Sequence, residues 1–415
     1  MRVPEVRAAD AGIARGLLAI MSVAAGLTIA NIYYIQPLLA EIGRTLSVSA
    51  TAMGVVATLG QLGFAAGMVF VVPLGDITDR RRLILVMLCG AAASLASIAL
   101  APSYAWLAAA IFCVGFFSVG AQMFVPFAAH LAAPARRGAA VGIVMSGLLT
   151  GILLSRTASG YVATTAGWRS MYWIAAGLML ALAAVSALML PRSAGTDAGT
   201  DAGTGASTNQ LSYRRLLGSL WRLTQSEPVL RESAFAGAML FASFSAFWSM
   251  LSFRLETPPL EYGSQVAGLF GLVGAAGVAA APFAGRLADR LDPRINLRVT
   301  LAVATLAWLV FALVGHTIPG LVAGVLLLDV GVQAGHVTNL SRVHSLSPEA
   351  RNRLTTVYMG TFFVGGAMGT AIAAYAWSRW GWSGVCAVGV TMPLLASIAL
   401  LRPSPGRGFA KGAAR

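Results

Sequence analysis

A single carboxylate stands where lipid is expected. Of fifteen acidic residues, only Asp329 lies deep inside an apolar run, near the middle of residues 318–339. A carboxylate at that depth costs several kcal/mol unless it is paired, hydrated or protonated. Gln333 and His336 follow four and seven residues later, on the same helical face. Such a polar stripe does not suit a lipid-facing surface, so it is expected to line a cavity. Asp329 has two readings: a functional carboxyl that carries protons or touches substrate, or a structural hydrogen-bond anchor between helices. His336 lies nearer the end of its run, where hydration alone accounts for it.

Arg156 is the only base inside an apolar run. It follows Gly147 and Gly151, whose Gly-x-x-x-Gly spacing lets a neighbouring helix come close. Three roles are open to it: pairing with Asp329, contacting an anionic substrate, or snorkelling to the water surface. Other runs add Asn31, Tyr33, Tyr34, Gln36 and Pro37, then Gln122, Pro126 and His130 on one helical face. A later run holds Phe241, Phe244, Phe247 and Trp248 with Ser245 and Ser249. Any one of these aromatics is ordinary packing. Together they offer stacking surface, a few amides and little charge, which suits a small, mostly apolar molecule.

No nucleophile elbow, phosphate-binding loop or metal-spaced cluster is present. His130, His316, His336 and His344 are scattered, and Cys89, Cys113 and Cys386 stand singly. No enzyme activity, metal or cofactor is expected, and a directly nucleotide-driven pump is disfavoured.

These side chains need helices in lipid to hold them. The chain is 57% hydrophobic and 11% charged, against roughly 25% charged in soluble domains. A spanning helix needs about 20 mainly apolar residues. Twelve runs qualify: 16–40, 51–74, 83–101, 104–128, 138–163, 170–190, 233–255, 264–285, 297–315, 318–339, 353–376 and 382–401. The expected fold is an all-α integral membrane protein of twelve transmembrane helices. Arg2, Arg7 and Arg15 precede the first run as in a signal peptide, but that run is too long for one, so it is read as an uncleaved helix.

A net charge of +14 would suggest nucleic acid in a soluble protein. Here it reads as sidedness. With both termini in the cytoplasm, 24 of the 29 basic residues fall on the inner side. Only Arg44, Arg169, Arg254 and Arg379 fall outside, which sets the orientation by the positive-inside rule. Residues 194–205 repeat Ala-Gly-Thr-Asp and read as a flexible linker. From Tyr213 to Leu223, Leu216, Leu217, Leu220 and Trp221 are interleaved with Arg214, Arg215 and Arg222 in an amphipathic basic helix that lies on the membrane face or packs on the helix ends. The expected organisation is a six-helix half over 1–190, a cytoplasmic linker over 191–232, a second half over 233–402 and a tail over 403–415.

The segment Gly75-Asp76-Ile77-Thr78-Asp79-Arg80-Arg81-Arg82 closes the second run as a charged tight loop, and Gly285-Arg286-Leu287-Ala288-Asp289-Arg290 echoes it about 210 residues on. The repetition suggests two halves on one plan. This pattern resembles the signature loop of the major facilitator superfamily. Residues 30–39 and 350–359 are similar to those of bacterial drug and metabolite exporters in that family. The resemblance implies two pseudo-symmetric six-helix bundles around a central cavity, working by alternating access. Helices 1, 4, 7 and 10 would line it, bringing Asn31, Tyr34, Gln36, Gln122, Phe244, Trp248, Asp329 and Gln333 into the cavity. Gly75, Asp76, Asp79, Arg80 and Arg82 would form a gate, with Gly285, Asp289 and Arg290 as its partial copy. Asp76 would meet the start of helix 11 when the inner side is shut. The helix dipole near Arg353 favours a carboxylate there, and Gly75 would allow the approach. The chain departs from the family pattern in helix 4, where Ile111 or Phe116 stands in place of an arginine. It departs again in helix 5, where Ser155-Arg156 follows Gly151-Ile152.

The expected function is a secondary transporter in the bacterial inner membrane, a monomer surrounded by lipid. It would export a small organic molecule against a proton gradient, without nucleic-acid partners. Uniport and proton-coupled import are rivals. A non-transporting sensor would predict large soluble extensions, whereas a short tail follows Leu401.

Overall fold

The computed structural model describes residues 15–76, 78–191, 213–274, 292–347 and 350–401. Among them every regular element is helical. In lipid a spanning segment must satisfy its backbone internally, and a helix does so within one run. The helices are α1 (Arg15–Ala30), α2 (Leu39–Thr45), α3 (Ala50–Phe70), α4 (Arg80–Ala99), α5 (Tyr104–Ser118), α6 (Ala121–Leu131) and α7 (Arg137–Ala166). They continue with α8 (Trp168–Met189), α9 (Tyr213–Ser226), α10 (Pro228–Glu256), α11 (Ser264–Gly274), α12 (Pro293–Val314), α13 (Ile318–His344) and α14 (Arg351–Ala399).

Nine helical stretches among the described residues are long and apolar enough to cross a membrane, taking α5 and α6 as one. The 49-residue α14 is broken at Gly381 (φ 59°), which falls in the gap expected between the last two runs. Two of the twelve expected spans are described as shorter apolar helices, α1 and α11. The first run is not one continuous helix. Pro37 has no N–H to offer the carbonyl of Tyr33, which accepts from Gln36 N instead at 3.2 Å. The chain therefore tightens into a short 3-10 turn, Gln36–Leu38, before α2. This break turns the Gln36 side chain inward.

Polar residues set the helix starts. Ser49, Asp79, Ser103, Asp292 and Thr317 each accept a backbone N–H from the first turn of α3, α4, α5, α12 and α13. Helices α1 and α3–α8 pack among themselves, and α10 and α12–α14 form a second packed set. The contact of α3 with α14 joins the sets along their length. Thr51 meets Ala374 at one end, and Phe64 meets Phe363 (ring centroids 4.2 Å apart) further down. Helix α7 joins them a second time, where Thr157 Oγ1 donates to Gly268 O of α11 at 3.0 Å. Helix α9 forms as expected, three residues longer, and packs against α10, α14 and the 72–76 turn. It leaves Trp221 exposed and Leu220 buried.

Candidate functional site

The charged side chains singled out in the sequence meet at the junction of the two sets. Arg156, about two-thirds of the way along α7, is 1% exposed, so it does not snorkel. The close approach of α1 and α7 explains its depth: a Cβ on Gly151 would collide with the backbone of Gly26. Arg156 Nε donates to Gln36 Oε1 at 2.7 Å. Its guanidinium carbon lies 3.9 Å from the Trp248 ring centroid, 4.9 Å from Tyr33 and 5.8 Å from Phe244. A desolvated cation on aromatic faces is stabilised by the ring quadrupoles. Its Nη2 has no hydrogen-bond partner among the described residues.

Asp329, on α13, is 2% exposed, and its Oδ1 is also unpartnered. The carboxylate sits against α11, where a Cβ on Gly274 would stand 2.6 Å from Asp329 Oδ2 and 3.3 Å from Trp248 Cζ2. Trp248 thus offers its face to Arg156 and its Cζ2 edge to the surface that Asp329 touches. Ion pairs do form elsewhere in the protein, but none joins Arg156 to Asp329 within 4.0 Å.

Beside this group is a cavity with room for about one water. Gln36, Tyr33, Gln61, Phe241 and Ser249 are among its walls. A polar chain that the sequence did not reveal runs through it. Gln61 Nε2 donates to Thr370 Oγ1 (3.0 Å), which is hydrogen-bonded to Ser249 Oγ (3.0 Å). Ser245 Oγ reaches Gln61 Oε1 at 3.4 Å. The available signal was Gln61 itself, the only amide in the 51–74 run.

The other expected residues are spread more widely. Asn31 Nδ2 donates to Met179 Sδ of α8 at 3.3 Å, and Tyr34 is buried. Gln122 and Gln333 are half-buried. His336 does not continue an open polar stripe. It bonds Tyr358 OH at 3.0 Å and packs on Phe362. Arg254 lies at the same end as Glu256 but is not exposed there. It is buried in α10 and bonds Gly315 O at 3.1 Å.

In the loop after α3, Asp79 caps α4 and Arg80 Nε donates to Gly75 O at 3.0 Å. Arg82 is exposed. Arg81, outside the expected gate, bonds Ala187 O of α8. Among the described residues no close approach occurs at Gly75, where a Cβ would meet nothing within 4 Å. The Asp76 side chain and residues 285, 289 and 290 lie outside the described set. At the same end Glu232 binds both Arg294 (2.8 Å) and Arg342 (2.7 Å), a network missed because its members are 62 and 110 residues apart. At the opposite end Arg44 pairs with Glu256, and Ser264 donates to Glu41 at 2.9 Å.

The family model described as Major Facilitator Superfamily matches residues 19–345. The chain belongs to this superfamily. It is 42% identical to the uncharacterized transporter YgaY of Escherichia coli, over 91% of this chain and 93% of that one. It is 32% identical to the transporter SCO4007 of Streptomyces coelicolor, over 93% and 87%. Among solved structures, a bacterial homolog of the human lysosomal transporter Spinster, in an inward-facing and unoccupied conformation, superposes with a TM-score of 0.73. The identity is 15%, covering 94% of this chain and 98% of that one. The nucleoside transporter NupG superposes at 0.71 with 14% identity, covering 93% and 99%. As a member of this superfamily the protein is a multi-pass membrane transporter of small molecules and not an enzyme.

Proposed function

We propose that this transporter exports a small, mostly apolar organic compound from the cytoplasm by exchange for protons, with Asp329 as the coupling carboxyl. The observation that carries the reading is the Asp329 environment. It is a 2%-exposed carboxyl with a free oxygen, walled by Trp248 and α11, and not locked in an ion pair. Such a group is cheap when protonated and costly when ionised. Its proton state therefore depends on whether water or a substrate reaches it. Arg156 is near enough to temper that cost without cancelling it.

Two six-helix halves, 1–190 and 233–402, rock about this site in a monomer of the bacterial inner membrane. The Arg44–Glu256 and Glu41–Ser264 contacts close its outer end, and the 75–82 loop gates the inner end through Asp76. Proton-coupled import is the second reading. It is favoured by Arg156 Nη2, because an anion beside a protonated Asp329 would carry the proton in its own direction.

Inside-out vesicles separate the two. With an acidic lumen, exchange predicts substrate accumulation that collapses when the gradient is dissipated. Import predicts release under the same gradient, and accumulation that ignores the gradient removes proton coupling altogether. Orientation is tested separately. A single cysteine at position 204 in a cysteine-free background, Thr204→Cys, is expected to resist impermeant thiol reagents in intact cells. Ready labelling there reverses the topology.

A further inference from the structure

The charges at the centre are arranged in an unusual way. Arg156 and Asp329 are opposite in sign, buried and near one Trp248 ring, yet they do not pair. Two buried ions free to move would close on each other, because that offsets part of their desolvation. Here both are restrained. The guanidinium is tethered by Gln36 and stacked on Trp248 and Tyr33. The carboxylate is seated beside Gly274 and the Trp248 indole. What remains among the described residues is one unsatisfied donor, Arg156 Nη2, and one unsatisfied acceptor, Asp329 Oδ1, with the Trp248 indole N–H beside the carboxyl. Buried polar atoms left without partners are costly, and the cost is recovered by whatever supplies the missing bonds.

We propose that the Arg156–Trp248–Asp329 site takes a zwitterionic substrate with an apolar or aromatic body, its anionic group on Arg156 Nη2 and its cationic group on Asp329 Oδ1. The body would rest on the faces of Phe244 and Trp248, which lie 5.9 Å apart between centroids. A singly charged ligand satisfies one end and leaves the other buried charge uncompensated. A zwitterion satisfies both and adds no net charge to the site. This deepens the proposed function and rests on it: an ammonium group and a proton compete for the same Asp329 oxygen, which is the relation that exchange requires. The neighbouring cavity has room for about one water, and Arg156, Trp248 and Asp329 are themselves buried, so the substrate enters when the helices part.

The test uses the full-length protein in lipid nanodiscs and three probes with one phenyl body: phenylalanine, phenethylamine and hydrocinnamate. Binding is read from thermal stabilisation. The wild type is expected to bind phenylalanine at least about tenfold more tightly than either singly charged probe, the scale of one lost charged hydrogen bond. In Arg156→Gln the advantage over phenethylamine disappears and that over hydrocinnamate remains. In Asp329→Asn the losses are reversed. If Arg156→Gln fails to fold, the wild-type comparison still decides. A wild type that prefers either singly charged probe, or binds none of the three, overturns the proposal. The two readings fail separately. Proton exchange without a zwitterion preference leaves the coupling standing, whereas a zwitterion preference without proton movement leaves only the binding site.

Discussion

Asp329→Asn is expected to abolish gradient-driven accumulation of substrate while downhill exchange continues. Asparagine keeps the shape and hydrogen-bonding capacity of the protonated acid but cannot release a proton. The variant is therefore fixed in the state that an apolar wall tolerates best. Removing one partner of a tight buried ion pair costs about 3–5 kcal/mol, because it strands the other charge. Asp329 makes no ion pair within 4.0 Å, and Arg156 keeps Gln36 and its aromatic faces. The fold should therefore survive the change. Reconstituted protein with equal pH on both sides should exchange substrate, and an imposed pH gradient should leave the accumulation ratio at one. Full uphill transport by this variant would mean that the proton travels elsewhere.

Asp329 and Arg156 were legible because one charge in an apolar run is a signal that needs no partner to be read. Their relationship was not. Gln36 and Arg156 are 120 residues apart, as a bond at 2.7 Å cannot announce in spacing. Depth in the sequence left snorkelling open for Arg156 beside the other two roles. A position in the outer part of a run is compatible with snorkelling unless neighbouring helices cover it, and α1 and α11 do. Arg254 ends an apolar run, but its burial was not legible, because Gly315 O and the 257–258 turn that enclose it lie in other segments or in the turn itself. The spans themselves were visible because length and hydropathy are properties of one segment. Helix ends run beyond several apolar runs, as at Pro228 and His344, because the terminal turns are polar and hydropathy does not register them. The gate was the least legible part. Its loop is recognisable in sequence, but which residues touch depends on the conformation, and a Cβ at Gly75 meets none of the described residues here.

Gly151→Leu is expected to be strongly destabilising, and Gly142→Leu on the same helix to be tolerated. Both replace the poorest helix former except proline with one of the best, a gain of about 1 kcal/mol in local propensity. The difference lies in what each new side chain meets. At Gly142 a Cβ finds nothing within 4 Å. At Gly151 it collides with the carbonyl, carbonyl carbon and Cα of Gly26, all backbone atoms of α1 that no rotamer change can move. Gly147 adds to the constraint by facing the backbone of Ser22, so α1 cannot yield by sliding one turn. Overpacking a core costs about 1–3 kcal/mol, and more where backbone must shift. A loss of about 3 kcal/mol or more follows for Gly151→Leu, seen as a lower melting temperature and reduced monodisperse yield in detergent. The site should suffer with the fold. The 3-10 turn carrying Gln36 follows α1, and Arg156 lies five residues beyond Gly151, so parting α1 from α7 separates the 2.7 Å bond between them. Equal melting of the two variants would show that the α1–α7 contact is not what holds Arg156 at depth.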